Sequence, residues 1–352
     1  MTGPVVTVCV PTRNRARFLR EALPTIVGQD YDPLEILISD NGSTDETEDI
    51  CRNLASRDSR VRYVRHEVDR GLYGNHNFCL SESRGEFVCL WHDDDEHELL
   101  LIRRCVAFMI AHPNVGIVSS DCTLIDDEGH IIGARDRSVG EVIPGIEYIG
   151  RTFSSGQSSV LCPGAMIRRS ALGDVRFDEH GPLGFADFVL WFKLAEHADI
   201  GHIGERLWKY RLHRGSLSRR KIYQIVADYE YHLGGYCASR LALGPDQAVV
   251  RWRADLDRFL FWALVYEISL HHKPRDSTAG SERYRTVFDI ADYRLEPQER
   301  NEVLRLMKHY RRGLPQSMIL IGTTIMLRLK LAWLLGWAAK PVGLWRRVIG
   351  LR

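Results

Sequence analysis

The feature that most limits the fold is an alternation repeated through the first third of the chain. Short apolar, β-branched runs stop at a polar turn and give way to helical periodicity. Residues 5–10 (VVTVCV) run into Pro11-Thr12-Arg13-Asn14, and residues 34–39 run into Asp40-Asn41-Gly42. Residues 61–64 make a third such run, and 87–90 a fourth that leads to Asp93-Asp94-Asp95. β-Branched residues suit a pleated, half-buried surface, and Pro11, which cannot donate to a central ladder, is expected to end the first strand. In 16–29 the apolar positions Phe18, Leu19, Ala22, Leu23, Ile26 and Val27 fall at helical spacing, with Pro24 expected to kink or interrupt that helix. Ser43 and Glu46 stand at capping-box spacing for a second helix, and residues 75–83 and 99–112 read as two more. Such alternation predicts an open, mostly parallel, Rossmann-like α/β sheet flanked by helices, with ligands outside the carboxyl ends of the strands. Thr12, Asp40 and Asp93–Asp95 follow three of those ends and could meet in one crevice.

The acidic triplet carries the clearest chemistry. Three adjacent ionised carboxylates repel one another, and buried charge without a partner shifts its pKa or finds one. Carboxylate oxygens are hard ligands suited to Mg²⁺ or Mn²⁺. In extended chain alternate side chains point the same way, which would aim Asp93 and Asp95 at one ion and Asp94 elsewhere. The alternative is a solvated acidic turn with no ion.

Composition removes several other classes. The chain has 352 residues and a net charge of +1, so there is no general electrostatic attraction to nucleic acid. Its eight cysteines lack CxxC spacing and several sit in apolar runs, which points to a reducing cytosol and not to a disulfide framework. The first residues carry no basic leader followed by an apolar core, so secretion by a signal peptide is not expected. Beyond a strand at 115–119 the pattern changes. Residues 123–132 read as a hairpin around Asp126-Asp127-Glu128-Gly129, Pro163-Gly164 as a tight entry into a strand, 186–197 as a helix and 208–211 as a late strand. From residue 221 the periodicity is helical throughout.

Taken together, five segments resemble the family 2 inverting glycosyltransferases. They are Val8-Cys9-Val10-Pro11-Thr12-Arg13-Asn14, then Ile38 to Asp45, Gly71 to Asn77, Gly85-Glu86-Phe87 up to Asp93-Asp94-Asp95, and Ala186-Asp187 before Leu190-Trp191. They cover about residues 5 to 218, in the expected order. The resemblance implies a GT-A fold over 1–220, with a nucleotide-binding half (about 1–115), an acceptor half (116–220), and a helical extension over 221–352. It implies metal-dependent, inverting hexosyl or deoxyhexosyl transfer from a nucleotide-sugar donor, UDP or dTDP favoured. The acceptor would be a saccharide or lipid-linked saccharide in surface polysaccharide or glycolipid synthesis. Mg²⁺ or Mn²⁺ would be the cofactor, and the site of action the cytoplasm or the inner face of the cell membrane.

Carried onto this chain, the resemblance assigns the donor to Pro11, Thr12, Arg13, Asn14, Asp40, Asn77, Asp93, Asp94 and His213. It assigns the metal to Asp95, Asp93 and His213, with Asp94 in reserve. Asp40 could accept from a base N–H, or it could simply cap its own turn. Asp187 stands where the family's proton acceptor stands, although a carboxylate there would also suit a helix N-terminus. Trp191 reads as core more than as a sugar platform. Two departures matter: His92 replaces the usual first Asp of the acidic motif, and Ala186 replaces a Glu. They keep a second reading open, a non-catalytic nucleotide- or sugar-binding relative. A nucleotidyltransferase would need a Gly-rich, basic loop after the first strand, which Pro11-Thr12-Arg13-Asn14 does not supply.

The extension has no motif tied to chemistry, and its aromatic residues at helical intervals read as packing. Residues 318–339 are long enough to span a bilayer. About a dozen Leu, Ile and Met class residues at roughly −0.3 to −0.6 kcal/mol each are offset by about +2.5 to +3.5 for each of Arg328 and Lys330, so spanning is not expected. Trp333, Trp337 and Trp345 with Lys340, Arg346 and Arg347 fit contact with an anionic membrane surface, and homo-oligomer packing through the C-terminal helices is the other reading.

Overall fold

The structure, a computed structural model, describes residues 3–137, 141–213 and 222–270. The first part of the chain builds β1 (Val6–Thr12), α1 (Ala16–Val27), β2 (Leu34–Asp40), α2 (Thr47–Arg57), β3 (Val61–Arg65), α3 (Gly71–Glu82) and β4 (Phe87–Leu90). There follow β5 (Glu96–His97), α4 (Leu101–Ala111), β6 (Val115–Ile125), β7 (Ile131–Arg135), β8 (Val142–Ile143), α5 (Gly145–Ser155), β9 (Met166–Arg168), α6 (Arg169–Leu172), α7 (Ala186–Ala195) and β10 (Asp199–Arg211). Helices α8 (Ile222–Tyr229), α9 (Gly235–Ala242) and α10 (Gln247–Leu270) come last. The chain divides into two compact units. Met1–Leu217 with Asp228–Trp252 holds the whole sheet, and the second unit takes in Ser218–Ala227 and the chain from Arg253 onward.

One sheet runs in the order β3-β2-β1-β4-β9-β6-β10-β5, with β7 beside β6 and β8 beside β10. Strands β3, β2, β1 and β4 are parallel, as are β6 and β10; β9 is antiparallel between the two groups. Every residue of β1 is buried, as expected of a central parallel strand covered on both faces. Gly85 is required where the chain enters β4, because a Cβ there would lie 2.6 Å from the Thr7 nitrogen and 2.8 Å from the Val5 oxygen. Strand β4 is thereby drawn tight against β1, and because β1, β2 and β4 run parallel their C-terminal ends open on the same edge of the sheet.

Several local expectations are corrected. Strand β1 does not stop at Pro11 but continues to Thr12. The register explains why: β4 pairs with β1 only as far as Cys9, whereas β2 pairs with it as far as Thr12. Backbone groups alternate sides along a strand, and Thr12 O accepts from Asn41 N on the β2 side, so Pro11's missing N–H faces the side that β4 has already left. Helix α1 runs through Pro24 without interruption. The Ser43/Glu46 capping box does not form. Asp45 caps instead, accepting from Thr47 N at 3.1 Å through one oxygen and from Ala16 N at 3.1 Å through the other, so one carboxylate serves the starts of both α1 and α2. Strands β6 and β10 are far longer than the expected 115–119 and 208–211.

The hairpin is present as β6 and β7. All eight cysteines are buried and free. Tyr229, Tyr236 and Trp252 pack against other aromatics, Tyr229 4.2 Å from Phe185, Tyr236 5.2 Å from Phe192 and Trp252 5.8 Å from Phe153. Among the described residues no helix is long and apolar enough to cross a membrane. Residues 318–339, Arg214 and the C-terminal membrane or oligomer contact lie outside the described residues.

Candidate functional site

Two loops follow the C-terminal ends of β1 and β2. Asn14, at φ +53°, takes a left-handed conformation that Asn tolerates better than most residues. Its N–H donates to Ser43 Oγ at 2.9 Å, and its Oδ1 accepts from Thr44 N at 2.7 Å. Asn14 therefore locks the β1–α1 loop to the β2–α2 loop. Arg13, half exposed, pairs with Asp69, which also accepts from Asn41 Nδ2 at 2.7 Å and Gly71 N at 2.8 Å. Asp40 is fully buried, and both of its oxygens are engaged, one by Ser43 N at 2.9 Å and the other by the Tyr63 hydroxyl at 2.6 Å. The turn-capping role is realised, and burial with the bonded Asp40 carboxylate raises the Tyr63 hydroxyl far above its ordinary range. Thr12 is buried with its hydroxyl unpartnered, standing beside Asp93 without closing a hydrogen bond.

The acidic stretch after β4 is not extended. The chain turns at Asp93-Asp94 before β5 begins at Glu96, so strand alternation does not govern it. Asp94 and Asp95 converge with His92: one ligand atom from each lies within 4.8 Å of the others. Asp93 is instead turned towards Thr12 and towards Arg15, whose Nε lies 3.9 Å away. His213, buried, places Nε2 2.9 Å from Asp94 Oδ2 and packs its ring 4.9 Å from Phe18. Asp95 is fully buried, with Oδ1 accepting from Arg211 N at 2.8 Å and Oδ2 unpartnered.

The electrostatics follow from crowding. Burial and the neighbouring Asp94 push Asp93 up to about 7 and Asp95 well above the carboxylate range. Asp94 is partly exposed; desolvation opposes its charge, but the His213 hydrogen bond and the nearby His92 and Arg15 hold it below its ordinary value. Arg211 is buried behind the cluster. Its side chain binds Asp94 O at 2.8 Å, Glu21 at 2.8 Å and Glu96 at 2.9 Å. It holds the acidic turn from below.

Asp187 is in the first turn of α7, entered through Phe185 at φ +62°. Burial raises its carboxyl to about 6, against the opposing pull of the backbone N–H groups of Asp187 and Phe188 and of the Trp191 indole. That indole N–H is buried without a full hydrogen bond, and Trp191 is completely enclosed, so it is core and no sugar platform. Tyr73, Tyr148 and Tyr229 lie close enough for Asp187 to raise their hydroxyls further. Cys162 donates its thiol to Leu90 O at 3.8 Å, at the end of β4; burial raises that thiol, and Asp187 and Asp95 both add to the shift.

The turn at 92–95, Thr12, Arg15 and His213 thus meet at the ends of β1 and β4. Asn77 does not join them. Its amide is committed to the 177–179 segment, donating to Phe177 O at 3.0 Å and Glu179 Oε1 at 2.8 Å and accepting from Phe177 N at 2.9 Å. His92, Arg15 and Arg211 were not among the expected site residues. The spacing His92-x-Asp94, which matches the family's Asp-x-Asp, was the available signal for the first.

A family model described as glycosyl transferase family 2 matches residues 7–176. The GalNAc(5)-diNAcBac-PP-undecaprenol beta-1,3-glucosyltransferase of Campylobacter jejuni is 36% identical over 182 residues, 50% of this chain and 55% of that protein, so the match spans about half of the relative. Among solved structures, Staphylococcus aureus TarS 1-349 in complex with UDP-GlcNAc superposes with a TM-score of 0.59 at 16% identity, over 90% of this chain and 82% of that one. The mannosyltransferase PcManGT from Pyrobaculum calidifontis, in complex with GDP-Man and Mn²⁺, gives 0.56 at 18% identity, over 99% and 85%. Likeness at those identities speaks for fold alone, and the fold is GT-A.

Proposed function

Residues 7–176 belong to glycosyl transferase family 2, and from that membership we propose that the chain moves a sugar, with inversion, from a nucleoside diphosphate, UDP or dTDP, to a hydroxyl of a saccharide or lipid-linked saccharide. The observation that carries this reading is the convergence of His92, Asp94 and Asp95 at the end of β4, with a buried, unpartnered Asp95 oxygen, together with Asp187 in the first turn of α7. A carboxyl held near 6 is poised to take a proton at neutral pH, and such a base contributes most when its pKa lies near the working pH. Inverting transfer is a single displacement, so one carboxylate must accept the acceptor's proton on the face opposite the leaving diphosphate. Asp187 fills that role.

The donor nucleotide is assigned to the ends of β1, β2 and β4. Thr12 and Asp93 face its ribose and phosphates, Arg13 flanks it, and Pro11, Asn14 and Asp40 shape the floor. His213 holds Asp94 in place. The acidic turn suits a divalent cation: Asp95 Oδ2 is a buried, unpartnered oxygen, and hard carboxylate donors favour Mg²⁺ or Mn²⁺. Asp94 and Asp95 would hold it, and when bound it offsets the negative charge that builds on the departing diphosphate. The Campylobacter relative's name includes an undecaprenol-linked acceptor, which supports a lipid-linked acceptor and a role in polysaccharide or glycolipid synthesis.

The test is Asp187→Asn in the full chain. Transfer should fall by about 10²- to 10⁴-fold, while UDP with Mn²⁺ still raises the melting temperature by mass action. Unchanged transfer would refute the base assignment. A chain that no nucleoside diphosphate stabilises would refute the donor class, and a chain that binds UDP but never transfers would be the non-catalytic relative.

A further inference from the structure

Carboxylates alone do not describe the acidic turn, because the residue that opens it is an imidazole. His92 follows Trp91, which is 1% exposed and stacked on His97 with centroids 3.8 Å apart, so the backbone arrives at position 92 from a rigid anchor. His92 Nδ1 lies 3.7 Å from Asp95 Oδ2. That separation is too long for an N–H···O hydrogen bond, so neither atom satisfies the other. Asp95 Oδ2 is nonetheless enclosed and has no other partner, while Oδ1 of the same carboxylate is fixed by Arg211 N. An oxygen and a ring nitrogen that approach one another without bonding, with an Asp94 oxygen beside them, form a cradle that a cation would complete.

We propose that His92 is a direct nitrogen ligand of the divalent cation, alongside Asp94 and Asp95, and that it shifts this site's preference from Mg²⁺ towards Mn²⁺. The assignment rests on the reading above that the crevice holds a cation. Imidazole suits first-row transition ions, whereas Mg²⁺ favours carboxylates, water and phosphate oxygens. The site's other imidazole, His213, has Nε2 on Asp94 and its ring against Phe18, and acts as a positioning residue that orients the Asp94 carboxylate. Ligand and support are thus different histidines, and that distinction can be measured.

The experiment titrates Mn²⁺, and separately Mg²⁺, into the full chain by calorimetry and records pulsed electron paramagnetic resonance of the bound Mn²⁺. The wild type should show nitrogen modulation from an imidazole. His92→Ala should lose it, with Mn²⁺ affinity down about tenfold to a hundredfold and Mg²⁺ affinity changed much less. His92→Asp should bind both ions with no nitrogen signal and a smaller Mn²⁺ to Mg²⁺ ratio, which also guards against a variant that merely misfolds. His213→Ala should weaken binding yet keep the modulation. Modulation that survives in His92→Ala, or that His213→Ala alone abolishes, overturns the assignment. So does a Mn²⁺ to Mg²⁺ ratio unchanged in both His92 variants. A wild-type chain that binds no Mn²⁺ overturns this assignment together with the metal dependence beneath it, whereas Mn²⁺ bound without a His92 signature overturns this assignment only.

Discussion

Arg211→Met tests whether the acidic turn is held by the frame behind it. The substitution keeps most of the aliphatic volume and removes the guanidinium. Arg211 is 1% exposed and binds Glu21 at 2.8 Å, Glu96 at 2.9 Å and the Asp94 carbonyl at 2.8 Å, with weaker contacts to the Asp126 and Asp127 carbonyls at 3.3 and 3.4 Å. These legs are unequal. Glu21 is 44% exposed, so its pair is screened and contributes at most about 1 kcal/mol. Glu96 keeps Lys209 Nζ at 2.8 Å and is not left as an isolated charge. The main loss is the Asp94 carbonyl, about 1–3 kcal/mol for a buried acceptor left unmade. The total comes to about 3 kcal/mol, the lower edge of what breaking a buried pair costs. At about 2–4 °C per kcal/mol for a unit of this size, the melting temperature should fall by about 6–12 °C. Asp94 loses its backbone anchor, so Mn²⁺ affinity should drop about tenfold, as it does when supporting groups around metal ligands are removed. Thermal unfolding and calorimetry read both effects. A fall in melting temperature under about 2 °C with Mn²⁺ binding unchanged would refute the positioning role.

The raised carboxyl of Asp187 gives transfer a pH signature. Only the ionised form accepts a proton, so kcat/KM should fall as pH drops through about 6, roughly tenfold between pH 7 and pH 5; a flat profile there would remove Asp187 as the base. The linkage has the opposite sign for stability. Because the folded pKa is raised, the contribution of this group is fully present below the unfolded carboxylate pKa and is lost as pH rises through about 6, so Asp187→Asn should stabilise the fold more at pH 8 than at pH 5. Melting curves at the two pH values check it. Asn77→Ala removes three hydrogen bonds to the 177–179 segment, two of them to Phe177's backbone, and should cost about 1–3 kcal/mol. UDP binding should change little; a large loss of nucleotide affinity without a fall in melting temperature would restore Asn77 to the donor site.

How far the chain could be read in advance follows from how local each cause is. The first four strands and their helices were legible because β-branched runs end at Pro11, Asp40 and the acidic turn, and those signals act within a few residues. The lengths of β6 and β10 were hidden. Ser119, Ser120 and Asp121, with His202 facing them, interrupt the apolar pattern, yet all four are buried, and Asp121 accepts a 3.0 Å hydrogen bond from His202 Nε2 across 81 residues. Asn77's partners lie 100 or more residues away and Arg211's mostly farther, so no spacing rule could reveal that one ties down a loop and the other props up the turn. The expected alternation of Asp93 and Asp95 does not hold for a simpler reason: it assumed extended chain where the backbone turns, and the turn brings Asp94 beside Asp95.

Where polar groups remain unpaired says more about the site than any single motif. Buried polar atoms are almost always hydrogen-bonded, and each exception calls for an explanation. Among the described residues, three of the unpartnered buried atoms are Thr12 Oγ1 beside Asp93, Asp95 Oδ2 beside His92, and the Trp191 indole N–H beside Asp187. They come from β1, from the turn after β4 and from α7, elements with no common local cause. A packing defect would leave such atoms in one poorly filled layer. On the function proposed above they would stand as a hydroxyl beside the nucleotide, an oxygen beside the cation and an N–H behind the base. Thr12→Val separates the two accounts. If the orphan hydroxyl is a defect, valine should stabilise the fold and leave UDP binding alone; if it is held for the donor, the gain in stability should come with weaker UDP binding and an unchanged affinity for Mn²⁺ alone.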